Sequence, residues 1–203
     1  MNIALIGASG NAGSRILAEL ASRGHRVTAI ARHPEKIAAG PNVTARRGDV
    51  FDVAGLSGLL AGHDAAISSV MFLASDPAKL VEAVKTAGVP RYLVVGGAGS
   101  LEVAPGVRLV DTPAFPEAYK AEATKGAAFL DLLRQERDLD WTFLSPSAHF
   151  MGGERTCTFR LGTDQILVDG AGNSSITYED FAVALADELE APRHSRKRFT
   201  VGY

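Results

Sequence analysis

Three glycines near the start of the chain stand three residues apart, between an apolar run and an amphipathic one. After a strand, Gly7 allows a tight turn, and Gly13 lets the following helix pack closely on the sheet. Gly10 leaves no Cβ between the backbone and a pyrophosphate, which the free N–H groups and the helix dipole then face. This order of strand, glycines and helix predicts a dinucleotide-binding turn rather than an ordinary connection. The predicted contacts are Gly7, Ser9, Gly10, Asn11, Ala12 and Gly13.

The end of the second apolar run carries positive charge. In the segment AIARHPEK, Arg32 and His33 stand where an acidic residue would hydrogen-bond the ribose 2′-hydroxyl of NAD, and Lys36 follows them. Arginine forms strong bidentate hydrogen bonds with phosphate. Arg32 and His33 are therefore predicted to contact the 2′-phosphate of NADP. NAD remains the alternative if Arg32 is only a solvated residue at a strand end.

Short apolar runs rich in β-branched residues alternate with longer helix-like stretches. The six runs are NIALI, RVTAIA, VTARR, AAISSV, RYLVVGG and DWTFLS, and KRFTVGY follows as a closing strand. Continuous apolar strands separated by helices are typical of a parallel sheet that is covered on both faces. The pattern predicts an α/β fold with a doubly wound parallel sheet. The stretch HPEKIAA is one of the predicted helical segments.

The chain is long enough for one substantial core, so residues 1–203 are predicted to form a single domain. Residues 146–176 interrupt the alternation with glycines and with TCTFRLG and QILVDG, which indicate an irregular or hairpin excursion. Chain that returns to the carboxyl ends of strands usually helps to build a ligand pocket. This segment and the long loop 96–115 are therefore predicted to form part of the substrate side. Thr177 and Asp180 then form a capping-box pattern at the start of a late helix.

Charge and composition limit the classes of partner. The 21 Lys and Arg residues nearly balance the 23 Asp and Glu residues, which does not favour nucleic acid. There is no span of about 18 apolar residues, and Cys157, the single cysteine, cannot form an internal disulfide. The five histidines have no metal-ligand spacing with Cys157 or acidic residues. The sequence thus predicts a cytoplasmic monomer or homodimer that acts on a small molecule, without a metal, nucleic-acid or membrane partner.

The spacing G-x-x-G-x-x-G resembles that of the atypical and extended short-chain dehydrogenase/reductases. GDVFD is similar to the adenine-contacting segment of that superfamily, and DWTFLSPSAHF and ITYEDFAVALADELE resemble its sixth strand and late helix. Within it, YLVVGGAGSL and LGTDQILVD are most similar to bacterial NAD(P)H-binding proteins described as NADH-flavin reductases, relatives of biliverdin reductase B. The resemblance implies a Rossmann domain with Asp49 and Val50 near the adenine. By topology, the loops after the fourth and fifth strands should also reach the cofactor, through Ser69, Val70, Gly96 and Gly97.

The proton-donating dyad of conventional short-chain reductases is missing. Those enzymes carry Tyr-x-x-x-Lys, whereas here Tyr119 is followed four residues later by Ala123. Comparison of the helix that contains FLDLLR places the lysine position on or beside Gly126, with Lys125 one residue off. A shift of one residue rotates a side chain by about 100° around a helix. A carbonyl reduction therefore has no obvious acid.

Several residues that follow the fourth, fifth and sixth strands could line an acceptor site. The predicted catalytic residues are Ser100, Tyr119 and His149. The predicted floor of the site adds Ser69, Met71 and Phe72. Each side chain has a structural alternative: capping or turn formation for the serine, a loop hydrogen bond for the histidine, and core packing for the methionine and the phenylalanine.

Two function hypotheses from different classes follow from these patterns. The first is hydride transfer from NADPH to a flavin or quinone, with FMN or FAD as a possible substrate, because such acceptors need little from the protein beyond stacking and orientation. The second is a redox-sensing protein, similar to the NmrA-like members of the superfamily, that holds NADP without turnover. A sugar epimerase or dehydratase is less favoured, because the dyad is absent and the substrate segment is small.

Overall fold

The computed structural model describes residues 1–203, and its main feature is an eight-stranded sheet. The strands of the molecule are β1 (Asn2–Ile6), β2 (Arg26–Ala31), β3 (Val43–Arg47), β4 (Ala65–Ser68), β5 (Arg91–Val95), β6 (Glu102–Ala104), β7 (Val107–Arg108), β8 (Asp140–Pro146), β9 (His149–Met151), β10 (Arg160–Gly162), β11 (Ser175–Thr177) and β12 (Lys197–Gly202).

The order of strands in the main sheet is β10-β12-β8-β5-β4-β1-β2-β3. All neighbouring pairs are parallel except β10 with β12. The chain moves outward from β1 to β3, then returns to β4 and moves the other way, so the winding reverses between β1 and β4. Ligands of such sheets bind beyond the carboxyl ends of the strands, at the point of reversal. The predicted doubly wound α/β fold is confirmed.

Helices cover both faces of this sheet. They are α1 (Asn11–Ser22), α2 (Val53–Leu60), α3 (Pro77–Thr86), α4 (Glu117–Gln135) and α5 (Tyr178–Glu190). One apolar core joins the sheet to α1 and α5, and a second core on the opposite face joins it to α2, α3 and α4. Neighbouring strand residues divide between the two, since Leu5 belongs to the first core and Ile6 to the second. None of the five helices combines the length and the apolar character that a membrane span requires.

One predicted helix is absent, and residues 146–176 take the irregular form rather than the hairpin, the two alternatives predicted for them. HPEKIAA forms only a 3-10 turn at Pro34–Lys36, because Ile37 is its one partly buried apolar side chain and a longer helix would have no face to bury. In residues 146–176, β10 pairs with the free edge of β12 instead of forming a hairpin with QILVDG. That second stretch is tied to β6, where the Ile166 N–H donates to the Glu102 carbonyl at 2.9 Å.

Two small sheets stand beyond the carboxyl edge of the main sheet. The loop 96–115 contains the antiparallel hairpin of β6 and β7, and β9 pairs with β11 in parallel. Thr177 begins α5 as its N-cap, with its hydroxyl oxygen accepting the Asp180 N–H at 3.1 Å. This part of the predicted capping box is confirmed. The Asp180 carboxylate itself accepts the N–H groups of Thr156 and Cys157, both at 2.8 Å.

A buried polar network holds together the sheet, α5 and the chain that leads into β12. The guanidinium of Arg91 donates to the Thr142 hydroxyl at 2.6 Å and to the Glu188 carboxylate at 2.9 Å. Glu188 also accepts the backbone N–H of His194 at 2.9 Å, and the two side chains meet at 2.7 Å. The His194 ring stacks on Phe199 with 4.1 Å between ring centroids. Because this network replaces water around a buried charge, its partners depend strongly on one another.

Candidate functional site

The three glycines of the first turn are required for different reasons. Gly7 has φ +83°, and a Cβ there would lie 2.0 Å from the Ser69 carbonyl oxygen. A Cβ at Gly13 would lie 2.1 Å from the Gly7 oxygen. The protein itself therefore excludes side chains at both positions.

Gly10 is different, because nothing within the protein requires a glycine there. The nearest atom to a Cβ on Gly10 would be the Gly7 oxygen at 3.4 Å, and its φ of −77° suits any residue. Gly10 is the N-cap of α1 and provides no side-chain cap, so the first N–H groups of the helix remain open to a ligand. A phosphate-binding turn has an exposed, uncapped helix start and a residue without a side chain beside it. Gly10 fits this description, since packing within the protein does not demand a glycine there.

A cleft of about 200 Å³ lies beside this turn, where the winding of the sheet reverses. Its lining residues are Ile6, Gly7, Ser9, Gly10, Ile30, Ala31, Arg32, Gly48, Val50, Leu56, Ser69, Val70, Met71 and Ala74. The structure thus brings together seven of the predicted cofactor contacts, which are Gly7, Ser9, Gly10, Arg32, Val50, Ser69 and Val70. The apolar walls and the few polar groups suit a nucleotide half with an aromatic base.

Arg32 is the only ionisable residue in this lining. Its guanidinium is exposed and takes part in no hydrogen bond or ion pair, whereas the ring of neighbouring His33 lies 3.1 Å from the Glu35 carboxylate. A cation without a protein partner at the end of β2 is available to a phosphate. His33 lies outside the cleft lining, as do Asn11, Ala12 and Gly13, so the prediction for the 2′-phosphate rests on Arg32.

Asp49 turns the chain instead of lining the cleft. Its carboxylate accepts the backbone N–H of Phe51 at 2.9 Å, while Val50 contributes to the cleft wall. The two residues predicted near the adenine therefore have different positions.

The loops that follow β4 and β5 meet at Phe72. Its ring is buried, and a Cβ on Gly97 would lie 3.3 Å from it. A Cβ on Gly126 of α4 would lie 2.6 Å from the same ring. Phe72 therefore belongs to the core, and it fills the space that a lysine at position 126 would need. Gly96 also has a packing reason, since its Cβ would lie 2.2 Å from the Phe143 ring.

Glu122 is a structural residue of the site that the sequence prediction missed. Its carboxylate accepts the backbone N–H groups of Phe72 and Leu73 at 2.6 and 2.8 Å. Glu122 lies one helical turn before Gly126, so both positions of α4 that face this loop hold it in place. We call this contact the Glu122 clasp. The spacing Tyr-x-x-x-Lys offered one signal for this residue. If the lysine position of the dyad is 126, its tyrosine position is 122, where this chain has Glu122.

The three predicted catalytic residues do not converge. Tyr119 lies in the first turn of α4 with 67% of its surface exposed, and its hydroxyl takes part in no hydrogen bond. Ser100 is buried, and its hydroxyl oxygen is 3.4 Å from an Arg198 guanidinium nitrogen. His149 is exposed at the start of β9. Met71 is also exposed, at 64%, and lines the cleft beside the glycine turn rather than the core.

A second cavity, of about 590 Å³, lies between the β6–β7 hairpin and the chain that follows β8. Its lining residues are Glu102, Val103, Ala104, Pro105, Ala148, His149, Gln165, Ile166, Val168, Gly172, Asn173 and Ser174. The elements that bound it continue from the carboxyl ends of β5 and β8, on the opposite side of β4 from Arg32 and β2. We call it the hairpin cavity. Of the predicted catalytic residues, only His149 lines it.

The comparisons with known proteins agree with this architecture. A protein-family model described as NAD(P)H-binding matches residues 7–192. The protein YwnB of Bacillus subtilis (strain 168) is 41% identical over 209 residues, which cover 99% of this chain and 98% of YwnB.

Two solved structures are similar over the whole chain. A Bacteroides thetaiotaomicron protein provisionally named an epimerase is 42% identical, with a TM-score of 0.95 over 100% of this chain and 96% of that one. A Streptococcus pneumoniae protein provisionally named an NADH-flavin reductase is 37% identical, with a TM-score of 0.84 over 100% of this chain and 99% of that one. With its glycine turn, its nucleotide cleft and a match across most of its length, the chain belongs to the NAD(P)H-binding family.

Proposed function

We propose that the protein is an NADPH-dependent reductase that delivers hydride to a flavin or quinone. The observation that carries the proposal is the state of α4, where Glu122 is bound by two backbone N–H groups and Gly126 lies against Phe72. The helix positions that carry the tyrosine and lysine of conventional short-chain reductases therefore bind the loop after β4 in this chain. An acceptor reduced here must need no positioned side-chain acid.

Flavins and quinones meet that condition. When bound, NADPH would supply the hydride, and water would supply the proton that completes the two-electron reduction of the acceptor. The residues of the protein would contribute orientation: the glycine turn would hold the pyrophosphate, Arg32 would hold the 2′-phosphate, and the clasped loop forms one wall of the cleft. Orientation of two bound reactants can supply about 7–11 kcal/mol of a reaction barrier.

The hairpin cavity is the proposed acceptor site. Its volume of about 590 Å³ falls within the usual range for small-molecule sites, about 300–1,000 Å³. Its walls combine apolar side chains with the amides of Gln165 and Asn173, which can hydrogen-bond the carbonyl and N–H edges of a planar ring. Residues 146–176 contribute most of this lining, in agreement with the proposal that they form part of the substrate side.

The same lack of an acid also fits a protein that binds NADP without turnover, which is the second candidate. An epimerase is less well supported, because sugar epimerases of the short-chain superfamily rely on the dyad position that Glu122 and Gly126 occupy here.

The test is NADPH oxidation with a panel of flavins, quinones and aldehydes, with Gly10→Val as the cofactor-site control. We expect oxidation with flavins or quinones above the uncatalysed rate, none with aldehydes, and loss of activity in the control. Tight NADPH binding without turnover of any acceptor would replace the reductase by the sensor. Efficient aldehyde reduction would mean that an acid acts from outside the α4 face.

A further inference from the structure

Resting on the proposed function, we infer that the hairpin cavity selects an uncharged planar acceptor, a flavin without a phosphate ester or a quinone, over FMN and FAD. No Lys or Arg contributes to its lining. The lining contains one carboxylate, Glu102, and one imidazole, His149. A site for a phosphorylated acceptor would be expected to present a guanidinium or ammonium group, as Arg32 does in the cofactor cleft.

The Glu102 carboxylate has no cationic partner within the protein. Its backbone is fixed by two hydrogen bonds, from its own N–H to the Asp164 carbonyl at 2.8 Å and from the Ile166 N–H to its carbonyl at 2.9 Å. Its carboxylate forms no ion pair. Its register partner across the hairpin is Arg108, but that guanidinium bonds to Asp111 at 2.8 Å.

A second carboxylate lies in the turn that borders the cavity. Asp169 stands between the lining residues Val168 and Gly172, and it accepts the N–H groups of Ala171 and Asn173 at 2.9 and 2.8 Å. Hydrogen bonds from Asn173, above all from its backbone N–H, lower the pKa of the Asp169 carboxyl, so it stays ionised. An anionic acceptor would therefore meet the Glu102 carboxylate in the cavity wall, with the Asp169 carboxylate in the bordering turn.

One cation also borders the cavity without lining it, as Asp169 does. Arg160 donates a hydrogen bond to the Val168 carbonyl at 2.6 Å and is also bonded to the carboxyl-terminal Tyr203, but it is not part of the cavity lining. The polar groups that remain are neutral. The Gln165 side chain has no partner within the protein, so both its donor and its acceptor are free for a ligand, while Val103, Pro105 and Ile166 offer apolar surface.

A phosphate monoester carries about −1.5 to −2 charges near neutral pH. Repulsion of this charge by the Glu102 carboxylate across a solvent-exposed cavity should give FMN about a five- to tenfold higher KM than riboflavin. Added salt should narrow this ratio, because it screens charges in contact with water.

The experiment measures riboflavin, FMN and FAD side by side. Binding to the NADP⁺-loaded protein is followed by flavin fluorescence, and KM is then measured with NADPH at low and high salt. The variants are Glu102→Gln and Glu102→Lys, with Glu117→Gln as a matched control, since that carboxylate is exposed on α4 and does not line the cavity. Melting curves check that each variant is folded.

In the unmodified protein we expect riboflavin to bind more tightly and to have the lower KM. Glu102→Lys should lower the ratio of the FMN KM to the riboflavin KM at least fivefold, while Glu117→Gln leaves this ratio unchanged. Equal affinities for riboflavin and FMN, or a ratio that Glu102→Lys leaves unchanged, would overturn the inference with the reductase proposal intact. Absence of NADPH oxidation with every acceptor would instead overturn the reductase proposal, and the binding measurements would still decide whether the cavity prefers the uncharged flavin.

Discussion

Gly10 gives the sharpest test of cofactor binding, because its effects on stability and on binding can be separated. A methyl group at position 10 would be 3.4 Å from its nearest protein neighbour, an ordinary van der Waals contact. Gly10→Ala slightly weakens the N-cap but also reduces the freedom of the unfolded chain, so the free energy of unfolding should change by less than about 1 kcal/mol. A pyrophosphate against the turn would be pushed away. Loss of two hydrogen bonds to a charged group costs about 3–6 kcal/mol, or about a 10²- to 10⁴-fold rise in the Kd of both NADPH and NADH.

Calorimetric titration with both cofactors and urea unfolding of the same samples would check this expectation. Gly58→Ala is the matched control, since Gly58 is exposed in α2 and a Cβ there would meet no atom within 4 Å. It should leave cofactor affinity unchanged. Gly10→Val should bind even more weakly than Gly10→Ala while remaining folded. Dinucleotide affinity within threefold of the unmodified protein, in folded Gly10→Val, would mean that the turn binds no phosphate.

Four further substitutions test other parts of the molecule. Arg32→Ala should weaken NADPH binding about 10- to 100-fold and leave NADH nearly unchanged, because only NADPH carries the 2′-phosphate; equal losses in a titration would remove that role. Glu122→Gln should raise the KM for NADPH about three- to tenfold with a smaller change in kcat, because each loop N–H is bound by a different carboxylate oxygen and the amide nitrogen that replaces one of them cannot accept; an unchanged KM in steady-state kinetics would refute a role of the clasp in cofactor binding. Glu188→Gln should lower the free energy of unfolding by about 1–3 kcal/mol, because the buried Arg91 guanidinium then keeps only its ion pair with Asp140, and no loss in urea unfolding would contradict this. Tyr119→Phe should lower turnover less than tenfold, since the hydroxyl is unbonded and exposed, whereas a hundredfold loss at saturating acceptor would restore it as a general acid.

The sheet could be predicted from the sequence because its strands are buried on both faces. Leu5 and Ile6 point to opposite cores, and both must be apolar, so NIALI reads as a continuous run. HPEKIAA misled the prediction because its composition permits a helix while the fold offers it no core surface. The pairing of β10 with β12 was equally hidden, since an edge strand is chosen by the partner that is free in space rather than by its own short sequence.

The glycine turn was more predictable than the Glu122 clasp or the surroundings of Ser100, and the reason is physical. A glycine turn is a local motif, so Gly7, Gly10 and Gly13 carry their signal within seven residues. The Glu122 clasp joins residues that are 50 positions apart, so no pattern within a few residues of sequence indicates it. Ser100 was a candidate by its place after β5, yet its hydroxyl lies beside Arg198, which comes from the far end of the chain.

The clasp also agrees with the proposal that this NAD(P)H-binding chain is a reductase without the tyrosine–lysine dyad. A general acid contributes about 10²- to 10⁴-fold to a rate, and a site without one cannot serve acceptors that generate an alkoxide. In exchange, α4 fixes the loop that forms a wall of the cofactor cleft, with Glu122 on its backbone and Phe72 wedged against Gly97 and Gly126. A rigid wall serves a reaction whose barrier is lowered chiefly by orientation. Hydride transfer to a flavin or quinone is such a reaction. The absence of the dyad at positions 122 and 126 and the fixed position of the loop therefore both support this proposed hydride transfer.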